Sequence, residues 1–142
     1  MQILQNDSLS RILHNALYQR MVDFAKLITP ELPAEAIVEL WLRAFYDANN
    51  KNIYILVNLN DKYNITAHCV ILIGQEAGYN IVYAHQLQDD KKSGTFLDEC
   101  MEYVDKLKTA TNAICKVANV YKGEKAMEKK YGFKKARSVI FG

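Results

Sequence analysis

The chain has 142 residues, with 18 Lys and Arg against 16 Asp and Glu for a net charge of +2. Half are hydrophobic and 24% are charged, an ordinary globular composition that excludes a disordered, collagen-like or coiled-coil chain. The length predicts one domain over 1–142, and the longest apolar run, Cys69–Ile73, is far short of the roughly 18–20 residues of a transmembrane helix.

The first helix is predicted over 8–28. Leu9, Ile12, Leu13, Ala16, Leu17, Met21, Phe24 and Ile28 recur there at three-and-four spacing, behind Ser8 or Ser10 as N-cap. Pro30 and Pro33 end it, because proline removes an amide donor and steers the preceding residue away from α. A second helix over 33–49 presents Ile37, Leu40, Trp41, Ala44, Phe45 and Ala48, and Asn49-Asn50 closes it. The period then changes to two. Ile53–Leu59 alternates and reads as a strand, and Asn60–Asn64 is a turn by composition. Ile65–Ile73 is apolar on both faces, as in an interior strand. Gly74–Gly78 turns the chain, and Tyr79–Gln88 is a third strand with Ile81, Tyr83, His85 and Leu87 on one face. Connections this short make an antiparallel meander. The polar loop Asp89–Gly94 opens a helix over 95–109, with Leu97, Cys100, Met101, Val104 and Leu107 inward. A strand over 112–118, a charged helix over 122–131 and a strand over 133–141 follow. Strand–helix–strand over 79–118 is long enough for a parallel crossover. The expected class is α+β: a mixed, mostly antiparallel sheet with one parallel β-α-β crossover and flanking helices.

No Ser-His-Asp or Cys-His nucleophile spacing, P-loop lysine motif or Rossmann glycine run is present. Cys69, Cys100 and Cys115 are odd in number and form no CxxC, so they read as buried thiols in a reducing compartment. Asp98, Glu99, Glu102 and Asp105 read as a solvated helix face rather than metal ligands, and no metal is expected. Residues 1–88 hold six basic and eight acidic side chains, residues 89–142 twelve and eight. The basic C-terminal part suits an anionic neighbour, or is a solvated Lys-rich face. Of the nine tyrosines only Tyr79 and Tyr83 share a strand face, so a nucleic-acid platform is not expected.

The element order, the Gly-containing polar loop that opens a helix at Gln88–Phe96, and the helix ending Tyr131-Gly132-Phe133 together resemble the GNAT superfamily of acetyl-CoA-dependent N-acetyltransferases. The resemblance covers roughly residues 8–141. It implies a GNAT-like fold in which a splay between the third meander strand and the next parallel strand admits the pantetheine arm. The pyrophosphate would sit on amides at the N-terminus of the crossover helix, where unpaired N–H groups and the helix dipole favour anions. Leu87, Gln88, Lys91, Lys92, Ser93, Gly94 and Thr95 are the implied residues for acetyl-CoA. Two registers of the signature Arg/Gln-x-x-Gly-x-Gly/Ala fit. One starts at Lys91, matches Gly94, and puts Phe96 in the small last position. The other starts at Asp89, puts Lys92 in the first glycine position and Gly94 last, and keeps Leu97 where the family is apolar.

The acid that protonates the leaving thiolate is often a Tyr four residues before the Gly of Gly-Phe; here that position is Glu128. Tyr121, seven residues earlier, is a second candidate donor. The resemblance implies a general base for the acceptor amine, and His85, Glu76 and His68 are the candidates, with His85 foremost. His14 reads as a bland residue on a solvent-facing side of the first helix. The family's strand before the first helix is reduced to a stub within Met1–Gln5, and its last strand has no counterpart before Gly142. That predicts an open sheet edge for a protein partner, an oligomer or a particle assembly. The main expectation is acetyl transfer to an amine in the cytoplasm of a bacterial or phage-infected cell. The alternative is a catalytically degenerate GNAT-fold structural or partner-binding subunit, such as a bacteriophage virion-associated protein.

Overall fold

The computed structural model describes residues 1–4, 10–92, 94–120 and 124–135. Along the chain run β1 (Gln2–Ile3), α1 (Arg11–Ile28), α2 (Ala34–Tyr46), β2 (Ile53–Leu59), β3 (Ile65–Glu76), β4 (Tyr79–Asp89), α3 (Thr95–Ala110), β5 (Cys115–Ala118) and α4 (Glu124–Tyr131). The sheet order is β1-β2-β3-β4-β5. Every neighbouring pair is antiparallel except β4 and β5, which run parallel across the α3 crossover.

Local chemistry sets the breaks. Ser10 caps α1, its hydroxyl accepting from the Leu13 amide at 3.1 Å. Thr29 closes α1 with its amide and its hydroxyl, both donating to the Ala25 carbonyl. The β2–β3 turn folds around the Asn60 side chain, which accepts from the amides of Lys62 and Asn64. The β3–β4 hairpin turns at Ala77 and Gly78, both with positive φ, the twist that suits a two-residue hairpin.

The sheet separates two cores. Leu17, Met21, Val22 and Ala25 of α1, with Val38, Leu42 and Phe45 of α2, pack on Ile53, Ile55, Val57 and Val70. Phe96, Cys100, Met101 and Val104 of α3, with Met127 of α4, pack on Leu56, Cys69, Ile71, Val82 and Ala84. Helices on both faces explain why Ala67–Ile71 is continuously buried.

Several expectations are corrected. The buried stripe of α1 omits Ile12, which is 83% exposed, and Ala16, also exposed; that of α2 is Ala34, Val38, Leu42 and Phe45, leaving Leu40 58% exposed. Helix α2 ends at Tyr46, where Asp47 takes an extended backbone and its carboxylate accepts from the Asn49 amide. Strand β3 runs three residues past Ile73, so the turn is Ala77–Gly78 alone. His14 is half-buried against the Tyr46 hydroxyl. Strand β5 begins at Cys115, because residues 110–113 close α3 through the Thr111 and Ala113 amides. Of the strand expected over 133–141, residues 133–135 are not strand, and the remainder lies outside the described residues.

Candidate active site

The pairing of β4 with β5 runs from Ile81↔Cys115 to Ala84↔Ala118. The Asn119 amide still donates to the Ala84 carbonyl at 3.1 Å. Beyond it β4 continues from His85 to Asp89, paired with β3 alone among the described residues. The parting coincides with a bulge. Val70 opposes Gln86 and Ile71 opposes Ala84, so His85 is the additional residue on β4. The bulge also corrects the expected strand face. Ile81, Tyr83 and His85 do not continue to Leu87, which packs with the α3 core.

His85 sits where the strands part. Its ring stacks on Tyr83 with centroids 5.3 Å apart, and lies 5.3 Å from the Trp41 ring of α2. The Asn119 amide nitrogen donates to Nδ1 at 3.3 Å. Burial pushes the His85 pKa below the ordinary 6.5, so the ring is neutral near pH 7. Tyr83 packs flat on Gly74, where a Cβ would come within 2.9 Å of its ring, and its hydroxyl donates to Glu76 at 2.9 Å. Glu76 is thereby tied to the far side of Tyr83, not to the parting strands.

His68 cannot reach a substrate. It is fully buried, its Nδ1 accepts from Arg20 Nε at 2.9 Å, and its Nε2 donates to Gln86 Oε1 at 2.8 Å. Gln86 in turn donates to the Met21 carbonyl at 2.9 Å. Burial lowers the His68 pKa to about 4; the Gln86 hydrogen bond pulls upward against it, the Arg20 charge adds to the fall and Asp90 opposes it more weakly.

After Asp89 the chain makes a tight loop into α3. The Asp89 carboxylate accepts from the Lys91 amide at 3.0 Å, and Lys92 takes φ +51°. Gly94, at φ +80°, is the N-cap of α3. Left-handed backbone at Lys92 and Gly94 falls on the two glycine positions of the register that begins at Asp89. Lys91, Lys92 and Thr95 are exposed, and Leu87, Gln88 and Gly94 are half-buried. Phe96 does not crowd the loop; it is fully buried in the α3 core. The leading amides of α3 have no intrahelical acceptor, so they and the two lysines can hold an anion. The acidic side chain in this first turn, Asp98, is held below its ordinary pKa by Lys130 at 2.8 Å and by the Tyr131 hydroxyl.

Glu128 is exposed on α4, while Met127 beside it enters the core. Tyr121 and Ser93 lie outside the described residues. The structure therefore brings His85, Leu87, Gln88, Lys91 and Lys92 to one end of the sheet, and it adds Asn119, Trp41, Arg20 and Asp90. Arg20 had a readable signal. It follows Leu17 by three residues on the stripe Leu17-Met21-Phe24, an unusual place for a charge. Among the described residues no group of three or more His, Cys, Asp or Glu could hold a metal ion, and no helix is long and apolar enough to cross a membrane.

This mixed sheet, mostly antiparallel with one parallel pair across a helical crossover, has the GNAT acetyltransferase fold. Solved structures similar to the chain include the ribosomal-protein-alanine N-acetyltransferase from Brucella melitensis, at 12% identity and TM-score 0.64, over 99% of this chain and 96% of that one. A Trypanosoma brucei acetyltransferase matches at 13% identity and TM-score 0.60, over 99% and 95%. The aminoglycoside N-acetyltransferase AAC(6')-Iy, solved in complex with CoA, matches at 13% identity and TM-score 0.56, over 99% and 91%. No family model matches the sequence, and no curated protein matches it either.

Proposed function

We propose that this chain is an N-acetyltransferase that moves the acetyl group of acetyl-CoA to an amine. One observation carries the reading. The parting of β4 from β5 coincides with the bulge at His85, and β4 beyond it leads into a loop with left-handed backbone at Lys92 and Gly94 and then into the N-terminus of α3. The likeness to acetyltransferase structures, one of them a CoA complex, supports it.

Acetyl-CoA supplies an acyl group already activated as a thioester. Leu87 and Gln88 would border its arm, while Lys91, Lys92, Ser93, Gly94 and Thr95 would hold its phosphates. His85 is the best-placed base for the acceptor amine. With Nδ1 accepting from Asn119, the neutral ring carries its proton on Nε2. A half-turn of the Asn119 amide lets its oxygen accept from Nδ1–H instead and frees the Nε2 lone pair for the amine proton. Glu128 and Tyr121 stay the candidate donors to the thiolate.

The test is calorimetric titration of CoA and acetyl-CoA into the chain, with Gly94→Asp and His85→Gln as comparisons. Micromolar binding lost in Gly94→Asp is expected, because that change adds a carboxylate to the anion site at a left-handed position. His85→Gln should keep CoA affinity and lose turnover with an amine acceptor. No heat and no thermal shift at millimolar CoA would overturn the enzyme reading and leave a GNAT-fold structural or partner-binding subunit.

A further inference from the structure

The phosphate loop begins with two aspartates, and the second is engaged from across the molecule. Arg20 of α1 forks onto Asp90, with Nη1 to Oδ2 at 2.9 Å and Nη2 to Oδ1 at 2.8 Å. The Arg20 side chain is 15% exposed and that of Asp90 is 50% exposed. The guanidinium is itself fixed. Its Nε donates to His68 at 2.9 Å, and Nη1 also reaches the Ile65 carbonyl at 3.4 Å. His68 is held by Gln86, and Gln86 by the Met21 carbonyl of α1. The chain of contacts thus starts at α1, crosses β3 and β4, and returns to α1. Gln86 enters it because it follows the bulge residue. The backbone adds one more tie, the Asp90 amide donating to the Thr66 carbonyl at 3.0 Å.

We infer that Arg20 is a positioning residue for cofactor binding: it ties Asp90, and with it the segment 89–92, to α1, so that this segment is preformed before the phosphates arrive. The inference rests on the acetyl-CoA reading above. A planar guanidinium gripping both carboxylate oxygens fixes direction as well as distance. A loop already held in its binding shape does not spend binding energy on being ordered.

The test compares CoA with pantetheine, which lacks the pyrophosphate, against Asp90→Ala, Arg20→Gln and the double variant. Asp90 is exposed enough for Asp90→Ala to fold. By charge alone it should tighten anion binding, because it removes a carboxylate beside the site. The tether predicts the opposite: CoA affinity down about tenfold in each single variant, with pantetheine unchanged. The double variant should be no worse than Arg20→Gln alone, since the Arg20–Asp90 contact can be lost only once. CoA affinity in Asp90→Ala equal to or tighter than that of the unaltered chain would overturn the inference. So would an equal loss for CoA and pantetheine, which marks general damage to the fold. An unaltered chain that ignores CoA would remove the acetyl-CoA reading, and the inference with it.

Discussion

His68 has a Phe24 ring edge-on at 5.8 Å, a guanidinium on one nitrogen and a carboxamide on the other. Protonating it would set a cation against Arg20 in a site closed to water. Its folded pKa of about 4 lies below the ordinary 6.5, so between those values the unfolded chain binds the proton and the folded chain does not. Stability is therefore lost as pH falls from 6.5 to about 4 and levels off below, by an amount of up to roughly 3 kcal/mol. Urea unfolding at half-unit pH steps should show that slope, and His68→Gln should flatten it. Asp90 contributes in a separate window. Arg20 holds its carboxyl below the ordinary 3.8, so its share is lost only as pH falls further. A pH-independent unfolding free energy between 4 and 6.5 would contradict the assignment of His68 as a neutral structural residue.

Helix α3 does two things with its first turn. Its leading amides face the loop, while Phe96, the second residue, drives into the core with no exposure. Pinning the helix end by a large inward ring keeps the N-terminus in place without filling the space before the leading amides. Phe96→Ala should cost about 3–5 kcal/mol, read from chemical denaturation, because the ring lies among Leu56, Cys69 and Met101 in a packed cluster. Leu97→Ala, at a half-buried position, should cost distinctly less. Equal losses for the two would mean that Leu97 anchors the turn as much as Phe96 does. Helix α4 leans on the same turn through Tyr131 and Lys130, both on Asp98.

On the scale of the molecule, the middle of the sheet is buried on both faces, over Ile55–Val57 of β2 and Ala67–Ile71 of β3. Ala67–Ile71 of β3 lies between the two helical layers, so its amides should exchange with solvent only through global unfolding. The amides of β5, a four-residue strand exposed at Val117, should exchange faster. Hydrogen exchange read by mass spectrometry orders them; equal protection would contradict the layered core. Much of this was readable in advance, because the hydrophobic period switches from helical to alternating at Ile53 and back at Thr95. The meander and the crossover follow from connection lengths alone. Helix faces were less legible: Ile12 and Leu40 match an apolar stripe yet point to solvent, since the stripe is chosen by which partner surface lies beneath. The candidate site was legible as a loop, through Gly94 and the lysines. It was not readable as a network, because Arg20, His68, Gln86 and Asp90 are joined by pairings across up to 70 positions of sequence.

The additional residue at His85 works as a phase shifter. Upstream of it, even-numbered positions of β4 such as Val82 and Ala84 face α3; downstream, the odd-numbered Leu87 does. Deleting one residue there would bring the strand back into step and turn Gln86 away from His68. The bulge and the buried polar chain therefore require each other.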